Sequence, residues 1–347
     1  MARRRTNGPF DAFYMQLDRL RRLPPELATV EVRSIQSVLP HPTLIELEGR
    51  RGPPLFLSTL LHGNELTSFH VLQELARRYA DAPPPRSLLI FVGNVDAAAA
   101  GARRLPQQED FNRIWAGGVG EPFDLAREVT ASARAAQPFA SVDIHNNTGA
   151  NPFYGCANTL QSTTLSLAAL FSRIAVLYRN PPTTQSMAFM QFCPAVAIEC
   201  GQIGNVAGTA RAIAFIDTLL HLDHLPPRAP PAHDLSLYET IGRVLVDDAC
   251  SFTFADEDCD LQLRPDLEQK NFSEMTEGEV WGRARCAHMP LRVLDENDRD
   301  LTTDFFERRG DWIQLRKPSV PAMLTSQREI IRQDCLGYLM QTLSLPH

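Results

Sequence analysis

The chain has 347 residues, 44% of them hydrophobic and 22% charged, and 34 basic against 41 acidic residues give a formal net charge of -7. That balance belongs to a soluble globular protein large enough to bury a substantial core, and it excludes a disordered chain and a basic nucleic-acid binder. The seven cysteines are scattered and never fall in a C-x-x-C pair, so reduced thiols in a cytoplasmic protein are expected and a thiolate metal site is not.

At the start, "MARRRTNGPF" is basic, but no apolar run follows it as a secretory signal would require, and no later stretch reaches membrane-spanning length. Phe10, Phe13, Tyr14, Leu17 and Leu20 recur at helical spacing and predict an amphipathic helix over 10–22, a helical extension within residues 1–25 that stops before Pro24 and Pro25. Strands are then predicted in "PLFLSTL", "SLLIFV", "FASVDIH", "IAVLY" and "AVAIEC", with helices over 64–80, 121–137 and 206–221. Strands alternating with helices predict an α/β architecture with a largely parallel or mixed sheet over residues 1–224, and ligands in such sheets bind where strands end at their carboxyl edge. The proline-rich "LPPRAPPA", 225–232, reads as a linker. Beyond it, "IGRVLV", "SFTF", "LRVL" and "WIQLRK" predict short strands and "REIIRQDCLGYLMQ" a helix, giving a smaller β-rich C-terminal domain over 233–347.

Four stretches carry residues suited to chemistry. In "LSTLLHGNEL" an apolar strand runs out at His62 and Glu65, with Asn64 as an N-cap for the following helix. The H-x-x-E spacing alone is unspecific, because a carboxylate at a helix start beside an ordinary histidine gives the same pattern. In "FASVDIHNNTGANP" strand alternation points Val142 and Ile144 one way and Asp143 and His145 the other, so that His145 emerges at the strand end before a turn. Two histidines and one carboxylate are a ligand set for a catalytic zinc, with a position left open for water, and Asp143 can either orient a ligand or form a salt bridge with an arginine. In "CPAVAIECGQIGN" Glu199 ends a buried run, where an ionised carboxylate is costly unless it is paired or used. Beside a metal-bound water it can accept a proton and return it to a leaving amine. The polar, irregular "GARRLPQQEDFNRIW" is a loop in which Arg113 and Asn112 suit a carboxylate, with Arg103 and Arg104 upstream.

In this order "HGNE", "DFNR", "DIHNNTGANP" and "IECG" resemble motifs of the succinylglutamate desuccinylase and aspartoacylase family, a branch of the zinc carboxypeptidase superfamily. The resemblance covers roughly residues 55–210. It implies a zinc-carboxypeptidase-like α/β/α sandwich, one Zn2+ per chain on His62, Glu65 and His145, and Glu199 as general base and then acid. Asn112 and Arg113 would hold the substrate carboxylate, Asn146 would join them, and Arg104, or Arg103 given a loop one residue longer than the commoner spacing, would meet the oxyanion. The implied reaction is hydrolysis of the amide of a small, anionic N-acylated amino acid. Gln185 stands where aspartoacylases have an arginine for the substrate's side-chain carboxylate, and a lost charge-assisted contact of about 1.5 to 3 kcal/mol argues against N-acetylaspartate. The tyrosine that aspartoacylases bring to the active site is not identified in the sequence; near its expected place stand Gln327 and Arg328. A peptide carboxypeptidase and a non-catalytic metabolite-binding homologue are the alternatives. Neither a nucleic-acid nor a membrane partner is expected, and homo-oligomers are compatible with the sequence.

Overall fold

The computed structural model describes residues 15–345. The chain begins with an edge strand β1 (Asp18–Leu20) and continues through β2 (Thr43–Leu47), β3 (Leu55–Thr59), α1 (Leu66–Arg78), β4 (Leu88–Val92) and α2 (Val95–Ala100). An irregular loop then leads to α3 (Glu121–Ala136), β5 (Ala140–Asn147), β6 (Tyr154–Ala157), α4 (Ser162–Phe171), β7 (Ile174–Leu177), α5 (Gln185–Phe189), β8 (Ala195–Gln202) and α6 (Val206–His221). The remainder comprises β9 (Ser236–Val246), β10 (Phe252–Thr253), β11 (Leu261–Leu263), β12 (Val280–Ala284), β13 (Leu291–Leu294), α7 (Thr302–Phe305), β14 (Phe306–Arg309), β15 (Trp312–Leu315), β16 (Val320–Ala322), α8 (Arg328–Gln333) and β17 (Gly337–Leu343).

A mixed twelve-stranded sheet runs in the order β1-β2-β4-β3-β5-β8-β6-β7-β9-β17-β16, with β13 also paired to β9. Its central strands are short and buried along their whole length, save for Gln202 at the end of β8, because helices cover both faces. Leu55, Leu57, Leu88 and Ile90 pack beneath α1, α4 and α6, while Phe56, Leu89 and Phe91 pack with α3 and α5. Each such side chain contributes roughly 1.5 to 3 kcal/mol relative to exposure. The result is an α/β/α sandwich.

The proline-rich segment 225–232 does not end this sheet. After it, β9 pairs in parallel with β7, from Ile174↔Ser236 to Leu177↔Glu239, and β17 and β16 extend the same layer. The rest of the C-terminal part forms a second sheet of five strands, β10-β11-β12-β15-β14, with a core of its own around Trp281 and Phe306. Among the described residues no helix is long and apolar enough to cross a membrane.

Two predicted helices are corrected. Over 10–22 the described part holds β1, and residues 10–14 lie outside the described residues. Residues three apart on a strand face opposite sides: Leu17 packs with the α3 and α5 face and Leu20 with the α1 face, so two-sided burial imitates a helical period. In "REIIRQDCLGYLMQ" only α8 is helical, and Gly337 onward is β17. There the adjacent Leu339 and Met340 enter different cores on either side of a register shift in the β17·β9 pairing. Neither strand shows its alternation, so pairing with the sheet decided the outcome.

Candidate functional site

The backbone turn at His62 is set by contact with α2. A Cβ on Gly63 would sit 2.2 Å from the Ala98 nitrogen and 2.3 Å from the Ala97 carbonyl carbon, so only glycine fits between strand end and helix. The Gly63 N–H donates to the Arg103 carbonyl at 3.0 Å, which ties the turn to the loop that carries the arginines. Helix α1 starts at Leu66 with Glu65, not Asn64, at its N-cap position, and Glu65 makes no capping hydrogen bond. Its carboxylate goes elsewhere: Oε1 lies 2.7 Å from His62 Nδ1 and Oε2 lies 2.8 Å from His145 Nδ1. The same group accepts the Asn146 N–H at 3.1 Å and Arg103 at 3.0 Å.

His145 reaches this point because β3 and β5 are parallel neighbours whose carboxyl ends lie together. The outer nitrogen of each imidazole meets another carboxylate. His145 Nε2 is 2.7 Å from Asp143 Oδ2, and His62 Nε2 is 3.0 Å from Asp110 Oδ1. Asp143 is in turn held by the Ser58 hydroxyl at 2.5 Å. His62, Glu65 and His145 are all buried and form a group able to hold a metal ion. The donor set fits zinc: two imidazole Nδ1 atoms and a carboxylate converge, with the Nε2 positions anchored by carboxylates as metal-bound histidines require.

Glu199 follows from strand register, since the parallel pairing of β5 and β8 sets His145 against Glu199. Its carboxylate is buried, and Asn147 donates to it at 2.5 Å. Burial pushes Glu199 up to about 7, with the Glu65 and Asp143 charges adding to it against the pull of His145. Glu65 moves the other way: burial would raise it, but His62 and His145 hold it well below the ordinary carboxylate range. His145 is depressed by burial, yet Asp143 and Glu65 raise it well above its ordinary value. Asp110, despite burial, is held far down by His62, Arg103 and Arg113. Burial and neighbouring charges thus push these carboxylates in opposite directions, Glu199 up and Glu65 and Asp110 down.

His62, Glu65, Asp110, His145 and Glu199 line a cavity of about 220 Å³, together with Arg103, Arg104, Asn112, Arg113 and Asn146. Arg113 extends along its wall with only the Asn112 carbonyl as hydrogen-bond partner among the described residues, at 2.9 Å. The Asn112 amide nitrogen lies 3.1 Å from His145 Nε2, and its oxygen accepts the Gln185 backbone N–H at 2.9 Å. Of the two upstream arginines, Arg103 touches Glu65, whereas Arg104 donates to the Gln108 carbonyl at the exposed rim.

Two sequence expectations change. The Gln185 side chain does not face the cavity: it is fully buried and donates to Ser141 at 2.9 Å, leaving Thr184 and Ser186 on the wall. The Asn146 amide is spent within the protein, accepting from Thr67 N–H at 3.1 Å and donating to the Gly201 carbonyl at 3.0 Å. Residues that sequence reasoning missed are Asp110, Asn147, Tyr178 and Tyr338. Asp110 and Asn147 had a signal, since each lies inside a motif already singled out. The hydroxyls of Tyr178 and Tyr338, 3.3 Å apart on the far wall, had none.

A mixed sheet delivers two histidines and a glutamate to its carboxyl edge, beside a buried carboxylate and an arginine-lined cavity, an arrangement suited to a hydrolase. Residues 51–219 match the succinylglutamate desuccinylase/aspartoacylase catalytic domain, and that part of the chain belongs to the family. No curated protein sequence matches it. Among solved structures it resembles the succinylglutamate desuccinylase from Chromobacterium violaceum, at TM-score 0.59 and 18% identity over 88% of this chain and 89% of that one. Murine aminoacylase 3 gives TM-score 0.59 and 15% identity over 85% and 98%. A succinylglutamate desuccinylase/aspartoacylase from Rhodobacter sphaeroides gives 0.59 and 15% over 87% and 89%. At these identities the likeness is one of fold, and it extends through the C-terminal strands.

Proposed function

We propose that the protein is a zinc-dependent deacylase that hydrolyses the amide bond of a small, anionic N-acylated amino acid. The observation that carries this reading is the convergence of His62 Nδ1, Glu65 and His145 Nδ1 beside Glu199. His62, Glu65 and His145 would hold the metal. Bound there, zinc would polarise the acyl carbonyl and make water acidic enough to attack near neutral pH.

The chain's own residues supply the rest. Glu199, with no basic partner among the described residues and a proton affinity near neutrality, takes the proton of the attacking water and returns it to the departing amine. Asn147 fixes the orientation of its carboxylate. Arg113, with Asn112 beside it, offers a guanidinium fork to the substrate carboxylate. Arg103 is the better-placed arginine for the developing oxyanion, because it already contacts Glu65, while Arg104 guards the entrance. Because Gln185 faces away from the cavity, it carries no argument for or against an acidic amino acid portion.

Metal analysis and a panel of acyl-amino acids test the reading. Glu199→Gln should retain its zinc and lose turnover by 10²- to 10⁴-fold, the usual worth of a general base. Undiminished turnover in that variant, or activity that survives complete chelation, would remove the mechanism. Peptides with a free C-terminus belong in the same panel, since hydrolysis of those alone would make the protein a carboxypeptidase.

A further inference from the structure

Two of the seven cysteines, Cys250 and Cys286, come together outside the lining of the cavity. Strand β9 leaves the large sheet at Val246 and passes through 247–251 into β10 of the five-stranded sheet. Strand β12 leaves that second sheet at Ala284 and returns through 285–290 to β13, which pairs with β9 from Leu291↔Val246 onward. The two passages between the sheets therefore lie side by side, joined by the Asp247 N–H donating to the Pro290 carbonyl at 2.9 Å. One carries Asp247 and Cys250, the other Cys286 and His288.

The side chains on these passages converge. Donor atoms of Cys250, Cys286 and His288 all lie within 4.8 Å of one another. Cys250 Sγ is 3.3 Å from His288 Nε2, and the same nitrogen is 3.1 Å from Asp247 Oδ2. For bonds of about 2.3 Å to sulfur and about 2.0 to 2.1 Å to nitrogen and oxygen, a tetrahedron around zinc has S···N edges of about 3.5 Å and N···O edges of about 3.4 Å. These two separations sit a few tenths of an ångström inside those edges, while the Asp247 carboxylate stands outside the group of mutually close donors and has to turn inward to complete the tetrahedron. Neither cysteine is in a disulfide, and Cys250 is buried while His288 reaches the surface, which gives an ion a route in. The backbone around the donors is held by two arginines: Arg332 donates to the Asp247 and Cys250 carbonyls, and Arg308 to those of Cys286 and His288. Their charges also offset the excess negative charge of two thiolates and a carboxylate around a dication.

We propose a second zinc site, structural in character, formed by Cys250, Cys286, His288 and Asp247. With the Asp247 side chain turned in beside Cys250, Cys286 and His288, four protein ligands leave no open position, which is the coordination of a structural site and not a catalytic one. On binding, the two thiols lose their protons to solvent and form two Zn–S bonds, with no oxidation. The ion would clamp together the two crossings between the large and small sheets.

The test uses the full chain, purified reduced and equilibrated with zinc. Two zinc ions per chain are expected, falling to one in His62→Ala and to one in Cys286→Ser. The Cys286→Ser protein should melt several degrees lower yet hydrolyse its substrate within about twofold of wild type. A measurement that does not depend on a folded cysteine variant is cobalt(II) substitution of the His62→Ala protein, expected to give near-ultraviolet thiolate-to-cobalt absorption. Zinc should also shield Cys250 and Cys286 from iodoacetamide, and a chelator should expose them. Absence of the cobalt band, equal alkylation with and without zinc, or a Cys250–Cys286 disulfide as the resting form would each overturn the proposal.

Discussion

Glu65 receives His62, His145, Arg103 and the Asn146 N–H on one carboxylate, so a single side chain sets the mutual placement of these groups. The outer carboxylates matter as much, because they determine which imidazole nitrogen is free for a metal. Asp143→Asn would leave His145 without its anionic partner, and a 10- to 100-fold loss of zinc affinity is expected, read by competition with a chromophoric chelator. Glu199 supplies a pH signature in metal-free protein. Its folded value of about 7 lies above the ordinary 4.5, so the stability it contributes is fully present below about 4.5 and is lost as pH rises through about 7. After chelation, the melting temperature of Glu199→Gln relative to wild type should therefore climb between about pH 5 and about pH 8. Parallel curves for the two proteins would show that Glu199 is not held as a buried neutral acid.

At the level of the element, the strand-to-helix turn between β3 and α1 is the most constrained part of the site. Its apolar strand and the helix after it are plain in "LFLST" and the apolar stripe of α1, and the turn glycine is explained only by α2 lying against it. Gly63→Ala must push α2 away or shift His62, so it should destabilise the fold by about 1 to 3 kcal/mol and lower metal content together, read by denaturant unfolding and metal analysis. Unchanged metal content in a destabilised variant would show that α2 yields and the site does not. Periodicity misled at β1 and β17 for one reason. A strand that sets apolar residues against both faces of the sheet loses its apolar alternation, and spacing alone cannot separate it from a helix.

For the molecule as a whole, the C-terminal part is joined to the catalytic part by backbone pairing. The ladder β7·β9·β17 carries the sheet across the proline-rich segment and brings Tyr338 and Asp334 to the cavity. A Cβ on Gly149, just after the His145 strand end, would sit 2.0 Å from the Leu324 carbonyl oxygen, so the two parts touch at the site itself. Thermal unfolding by calorimetry should accordingly show one cooperative transition for the sheet. Two well-separated transitions would mean that the pairing across β7 and β9 contributes little.

The sequence by itself determined the alternating α/β order and the strand ends at His62, His145 and Glu199, because these are local: an apolar run, its length and the polar residue that terminates it are all contained in about ten residues. The ordered motifs carried the family as well. Which arginine meets Glu65, that Gln185 turns inward, that two tyrosines close the cavity and that Cys250, Cys286 and His288 gather between two sheets were decided only in three dimensions. Each depends on which strands pair and in what register, and contacts between residues tens to more than a hundred positions apart leave no periodic trace in the chain.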